Sequence, residues 1–182
     1  MIAVSAFLSI LSGRGVTDVV GLPDNSSAAL FARLVGGKGP RLRTVTREGE
    51  AFALAAGLWM GGARPIVLVQ NTGLLESGDS VRGTVVRMRI PIVSVVTYRG
   101  YGKMMKTLGA APAAVDVPLL SRTDLDSVAL MTEPTLAAWG LPFERLLGPE
   151  DLGRLEAAFV QAEEEHTPVV RLLTCDLQED GA

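Results

Sequence analysis

The residues best placed to do chemistry stand at the start of one helix. In TREGEAFALAAGLWM, Thr46 to Met60, two acids open a stretch built almost wholly of Ala, Gly and large apolar side chains. An acid in a first turn ordinarily does no more than interact favourably with the helix dipole, and Glu50 suits that role. Glu48 is the informative one. The residues behind it, AFALAAG, leave no polar stripe, so the helix is expected to be enclosed. An acid entering an enclosed helix from a strand end faces a ligand or another subunit. A carboxyl so placed can hold or hand over a proton.

Other polar segments accompany it. GLPDN carries Pro23, Asp24 and Asn25; QNTG carries Asn71, Thr72 and Gly73; YRGYGK carries Arg99 and Lys103. Either of these two cations suits an oxyanion, Arg through paired charge-assisted hydrogen bonds, or remains solvated at the surface. The phosphate cradles GxGxxG and GxxxxGK[ST] are missing, and GGKG at Gly36 to Gly39 reads as a helix terminator. Cys175 and His166 are the only residues of their types, so neither a disulfide nor a Cys/His zinc set is available. A reducing cytoplasm is the expected setting. His166, in an acidic helix tail, reads as a surface residue.

The elements that must position these groups follow from periodicity. Val4, Phe7, Leu8 and Leu11 fall at helical spacing; TDVVG, LRTVT, PIVLVQ, PIVSVVTY, PFERLL and PVVRLL read as strands; helices are expected through AALFARLV, from Glu48 to Gly61, through SVRGTVVRMR and through PEDLGRLEAAFVQAEEEH. Thr132 is expected to cap EPTLAAWG, with Pro134 in its first turn. The stretch from Arg99 to Asp124 is either a partner-facing connection or an ordinary helix and loop. Strands that are near-continuous Val/Ile/Leu runs, alternating with helices, indicate an α/β fold: a doubly wound, mainly parallel sheet of about six strands with helices on both faces, each strand hidden from water. The polar segments then fall after strand carboxyl ends, where open α/β sheets bind ligands.

At 182 residues, 48% of them hydrophobic, the chain suits one well-buried domain spanning 1–182. A net charge of −3 with mixed signs offers no footprint for nucleic acid or an anionic membrane, and MIAVSAFLSILSGRG reads as an amphipathic first helix rather than a leader or a span.

REGEAFALAAGLWMGGARPIVLVQNTG, Arg47 to Gly73, resembles the start of the pyrimidine-binding domain of thiamine diphosphate enzymes, where a strand ends in an acid, an Ala/Gly-rich helix follows, and a strand leads to a small polar loop. Within that superfamily it is most similar to the phosphonopyruvate and sulfopyruvate decarboxylases. GLPDN and TEPTLAAWGLPFERL resemble further segments of the same group. The resemblance implies that Glu48, nine residues before Gly57, hydrogen-bonds the cofactor's aminopyrimidine and activates it, the cofactor then taking up the electron pair left when a 2-oxo acid loses CO2. It implies that Pro23, Asn71, Thr72 and Gly73 line the pyrimidine, and that Asn25 and Arg99 face the substrate. Asp24 has two readings: an acid beside the substrate carbonyl that assists proton transfer, or an Asx turn or helix cap after Pro23. QNTGLL and RGYG depart from the group's usual continuations, so the substrate pocket is expected to differ.

The same resemblance implies a partner. Thiamine diphosphate enzymes hold Mg2+ and the diphosphate with a GDG motif and a later Asn, whereas this chain has GDS at Gly78 to Ser80 and no Asn after Asn71. The expectation is an α subunit whose β subunit carries the thiamine diphosphate and Mg2+ site, in an α2β2 or larger assembly. Trp59 and Met60 are each expected in the core or an interface, the core being preferred for Trp59. The competing expectations are a regulatory subunit, or a doubly wound binding module in which Glu48 is a simple cap.

Overall fold

The computed structural model describes residues 1–181. In chain order the elements are β1 (Ile2–Ala3), α1 (Val4–Gly13), β2 (Asp18–Gly21), α2 (Ala28–Val35), β3 (Arg41–Thr44), α3 (Glu48–Met60), β4 (Pro65–Gln70), α4 (Asn71–Glu76), α5 (Gly78–Ser80), β5 (Val93–Thr97), α6 (Tyr101–Leu108), α7 (Val117–Leu120), α8 (Ser127–Ala138), β6 (Phe143–Leu146), α9 (Leu152–Glu165), β7 (Val169–Leu173) and β8 (Leu177–Gln178). A π-helical turn, Val81–Val86, follows α5, and a 3-10 turn, Pro149–Asp151, precedes α9.

Six strands form a parallel sheet in the order β3-β2-β4-β5-β7-β6. Successive side chains of a strand point to opposite faces, and the apolar runs divide accordingly. Val20, Val67, Val69 and Val96 pack with Phe52, Ala55 and Ala56 of α3 and Leu130 and Leu136 of α8. Val19, Ile66, Leu68, Val93 and Val95 pack on the other face with Phe7 of α1, Leu30 and Phe31 of α2, and Phe159 of α9. The doubly wound architecture with helices on both faces is thus what the alternation predicts.

Particular elements differ from the expectations. β3 is an open edge, not hidden from water, and Arg41 and Arg43 both project from it toward the buried Asp18 of β2. Charged side chains on an edge strand discourage further strand pairing. The segment after Arg99 resolves into helices α6 and α7, the ordinary helix-and-loop reading. α8 begins at Ser127, capped by the Asp126 carboxylate accepting from the Val128 N–H at 3.1 Å; Thr132 and Pro134 lie inside it rather than at its start. SVRGTVVRMR, from Ser80 at the end of α5, forms the π-helical turn Val81–Val86 and then a turn, not a regular helix. β1 and β8, two residues each, pair in parallel and bring the two ends of the described chain together. No described helix is long and apolar enough to cross a membrane.

Candidate functional site

The strand order reverses between β2 and β4: the chain steps from β2 outward to β3, then returns to the other side of β2. In open α/β sheets the crevice outside the carboxyl ends at such a switch point is the usual ligand site. Three predicted segments converge there. The loop after β2 carries Pro23, Asp24 and Asn25; α4 begins directly after β4 with Asn71; and α3 begins after β3 with Glu48.

Glu48 and Gly73 meet across this edge. A Cβ built on Gly73 would fall 2.1 Å from Glu48 Cγ and 2.4 Å from its Cδ, so only glycine admits the glutamate there. The neighbouring acid has a different task. Glu50 accepts from the Thr46 N–H at 3.0 Å and the Thr46 hydroxyl at 2.9 Å, fastening the strand-to-helix corner. Those bonds, the backbone one foremost, hold its carboxyl below the ordinary range. Glu76 of α4 pairs with Arg47 and accepts from the Gly49 N–H. The half-buried Glu48 carboxyl is left without a hydrogen-bond or ion-pair partner among the described residues. Of the two acids, one is a cap and the other is uncommitted.

Asp24 is fully engaged. Its Oδ1 accepts from the Ser27 N–H at 2.9 Å and the Ser27 hydroxyl at 3.0 Å, while the Asp24 N–H donates to Ser27 Oγ at 3.1 Å, a reciprocal turn leading into α2. Its Oδ2 accepts from the Thr97 hydroxyl at the end of β5. Because β4 lies between β2 and β5, this bond draws the GLPDN loop across the switch point. The geometry displays the cap reading of Asp24. Thr97 is a site-shaping residue that local sequence reasoning missed; its only signal is its position at the last residue of a strand.

QNTG is not a loop: Gln70 ends β4 and Asn71 to Gly73 form the first turn of α4. Asn71 is buried, and its amide donates to the Arg99 carbonyl at 3.1 Å and to Thr132 Oγ1 at 3.0 Å, while Thr132 in turn donates to the Val128 carbonyl. Asn71 Oδ1 is buried with no donor. Thr72 is exposed and donates to Gln70 Oε1 at 3.1 Å. Pro23 and Asn25 are exposed on the loop. Arg99 is exposed and pairs with Asp126 at 3.1 Å, and Lys103 is exposed on α6.

Beyond this edge, Glu133 forms a two-pronged pair with Arg145 of β6, at 2.7 and 2.6 Å, and Arg145 lies over the Tyr101 ring. The Tyr98 hydroxyl donates to the Ala129 carbonyl. Burial, and then the Glu133 carboxylate, push the Tyr98 phenol well above its usual range, so it stays neutral. These contacts fasten α8 to the sheet. The single imidazole, His166, is exposed at the end of α9 in a left-handed conformation, as a surface residue.

The helix behind Glu48 is enclosed on one side only. Ala51, Phe52, Ala55 and Ala56 are buried, but Leu54 is 40% exposed, Trp59 40% and Met60 64%. Of the two places expected for Trp59, core or interface, the core is corrected: Trp59 stands at the rim, because α3 turns Phe52 and its alanines to the sheet and Trp59 lies off that face.

This doubly wound fold is shared with part of a solved decarboxylase. Benzoylformate decarboxylase from Polynucleobacter necessarius superposes with a TM-score of 0.69 over 96% of this chain and 30% of that one, at 18% identity. In sequence the chain is similar to phosphonopyruvate and sulfopyruvate decarboxylases, the resemblance read from its motifs. It is 40% identical over 100 residues to phosphonopyruvate decarboxylase of Streptomyces hygroscopicus, covering 55% of this chain and 25% of the relative. It is 29% identical over 100 residues to the sulfopyruvate decarboxylase subunit alpha of Methanococcus maripaludis, covering 55% of this chain and 60% of that subunit. The match thus spans a quarter of the phosphonopyruvate enzyme. No family model matches the chain.

Proposed function

We propose that this chain is the α subunit of a heteromeric thiamine diphosphate-dependent decarboxylase acting on a 2-oxo acid of the sulfopyruvate or phosphonopyruvate kind. The observation that carries the reading is Glu48, a half-buried acid uncommitted to any described partner, lying over a position without a side chain at the switch point of a decarboxylase fold. Homology to sulfopyruvate decarboxylase α subunits supports a β partner, to which the Mg2+ and diphosphate site is assigned.

The residues present fit the cofactor's aminopyrimidine. A ring nitrogen needs a carboxyl free of internal partners, and Glu48 is that group; Asn71 Oδ1, at the head of the same short helix as Gly73, still lacks a donor. Once bound, thiamine diphosphate supplies the electron sink for decarboxylation. Within this chain Glu48 holds and returns a proton at the pyrimidine ring nitrogen, and Gly73 leaves room for it to do so. Pro23 and Thr72, exposed on either side of the switch point, line the pyrimidine. Asn25 and Arg99 face the substrate side, Arg99 exchanging Asp126 for a substrate oxyanion. Asp24, with both oxygens engaged, holds the loop rather than moving protons.

The test is reconstitution. A tagged chain copurified with its partner is assayed for CO2 release from sulfopyruvate and phosphonopyruvate, with and without thiamine diphosphate and Mg2+. Release that needs both chains and the cofactor, and that disappears with Glu48→Gln, is expected. Cofactor-independent behaviour, or a Glu48→Gln assembly as active as the original, overturns the reading.

A further inference from the structure

Gly73, beneath Glu48, allows the first turn of α3 to press against α4. Gly49 lies in the same contact, where an added Cβ would sit at ordinary contact distance, 3.4 Å from Glu76 Oε2 and 3.9 Å from Ser77 Cα. The Gly49 N–H donates to Glu76 Oε2 at 3.1 Å, and Glu76 Oε1 pairs with the Arg47 guanidinium. Glu76 therefore grips the residues on both sides of Glu48 while leaving Glu48 itself free.

The platform it grips from is itself fixed. At the start of α4, Asn71 is tied to the Arg99 carbonyl and to Thr132; at its end the Ser77 hydroxyl donates to the Gly73 carbonyl at 2.6 Å. The Arg47–Glu76 pair is exposed, and pairs in that setting stabilise little. Its consequence is geometric: the backbone flanking Glu48 is fastened to the same helix that carries Gly73, and small misplacements of a reacting group have large effects on rate.

We propose that Glu76 is a positioning residue that sets the Glu48 carboxyl over Gly73 by holding Gly49 and Arg47. The proposal rests on the cofactor reading of Glu48. It concerns a carboxylate that touches neither substrate nor reacting atoms and acts through the backbone of α3.

The experiment compares the original chain with Glu76→Ala, Glu76→Gln and Glu76→Asp, each assembled with the partner and thiamine diphosphate. The first readout is exchange of the cofactor's acidic ring C–H proton with D2O, followed by acid quench and NMR. The second is hydrogen exchange at the Gly49 amide in the free chain, with the melting midpoint alongside. Glu76→Ala is expected to slow cofactor proton exchange by about tenfold or more and to deprotect Gly49 with little change in melting. Glu76→Gln, which keeps an acceptor for the Gly49 N–H, should restore most of the rate. Glu76→Asp keeps the charge but withdraws the carboxylate by one methylene, and should be slow like Glu76→Ala while remaining folded. Deprotected Gly49 with cofactor exchange at the original rate overturns the proposal and leaves Glu76 a surface cap. An original assembly that shows no cofactor exchange at all instead overturns the cofactor reading, and this proposal with it.

Discussion

Glu48 lies across Gly73 so closely that a methyl group there would come 2.1 Å from the glutamate Cγ. Neither backbone can retreat: Gly73 sits in a helix tied down at Asn71, and Glu48 begins a helix fastened by Glu50 and Glu76. Gly73→Ala must therefore swing the Glu48 side chain out of its place. We expect decarboxylation in the reconstituted assembly to fall by about a hundredfold. Overpacking should lower stability by about 1–3 kcal/mol. Steady-state kinetics beside urea denaturation would separate the two effects; activity unchanged in a folded Gly73→Ala assembly would deny that this contact matters.

The two acids of α3 should part under substitution. Glu50→Gln weakens the corner bonds to Thr46 and should lower the melting midpoint while activity persists. Glu48→Gln should do the opposite, abolishing activity with melting unchanged. The pH dependence sharpens the contrast. Glu50 is held below its ordinary range by the Thr46 bonds, so its stabilisation is full above its unfolded value, near pH 4.3, and is lost as pH falls through the lower folded value. Thermal melts of the original chain and Glu50→Gln should accordingly converge in acid. Parallel curves from pH 7 to acid would show that the carboxylate is not the fastening group.

How much of this was legible beforehand depends on the range of each interaction. PIVLVQ and VSVVT read as buried strands because their apolar runs are continuous, and Glu48 stood out because the helix behind it has no polar stripe. α8 starts six residues before its expected place: Thr132 and Pro134 look like a helix start, yet Asp126 caps the helix and packing of Ala129 and Leu130 draws SVALMT into it. Propensity yields to tertiary burial there. α4 was hidden by its length, six residues following a strand with no turn between. The contacts that shape the site, Thr97 to Asp24 and Arg47 to Glu76, join segments 73 and 29 residues apart and leave no local trace. Trp59 departs from the core reading because a large aromatic is usually buried, whereas the inward face of α3 is already filled by Phe52 and its alanines.

Asp18 should link stability to pH at the sheet edge. It is fully buried, and burial by itself would raise its pKa; the Thr17 hydroxyl at 2.7 Å and Arg43 at 2.9 Å, with Arg41 at 3.5 Å, outweigh that and hold the carboxyl below its usual range. Its stabilisation is then complete above the unfolded value, near pH 3.9, and is lost as pH falls through the folded one. Asp18→Asn leaves the two arginines, whose side chains reach solvent, facing a neutral amide, and should cost about 1–2 kcal/mol at neutral pH through the lost charge-assisted hydrogen bonds. Urea midpoints measured from pH 7 down to pH 3 should show the difference narrowing in acid. A gap that stays constant would place the loss in packing instead of charge.

The outward face of α3 makes the last prediction. Leu54 and Met60 stand open to solvent on the helix that begins with Glu48, although its composition is that of an enclosed one. Apolar side chains exposed on a helix that heads a proposed active site are suited to burial against another chain. In the proposed assembly that chain is the β subunit, since the cofactor must be shared between the two. Leu54→Glu combined with Met60→Glu places charge on this face without touching the buried Ala51, Phe52, Ala55 and Ala56. The free chain should melt as before, because neither side chain supports its core. Titration of the β subunit, followed by analytical ultracentrifugation, should show affinity weakened by about a hundredfold or more, and decarboxylation should fall with it and recover at high β concentration. Association at the original affinity would exclude this face from the contact and leave the open side of α3 to other surroundings.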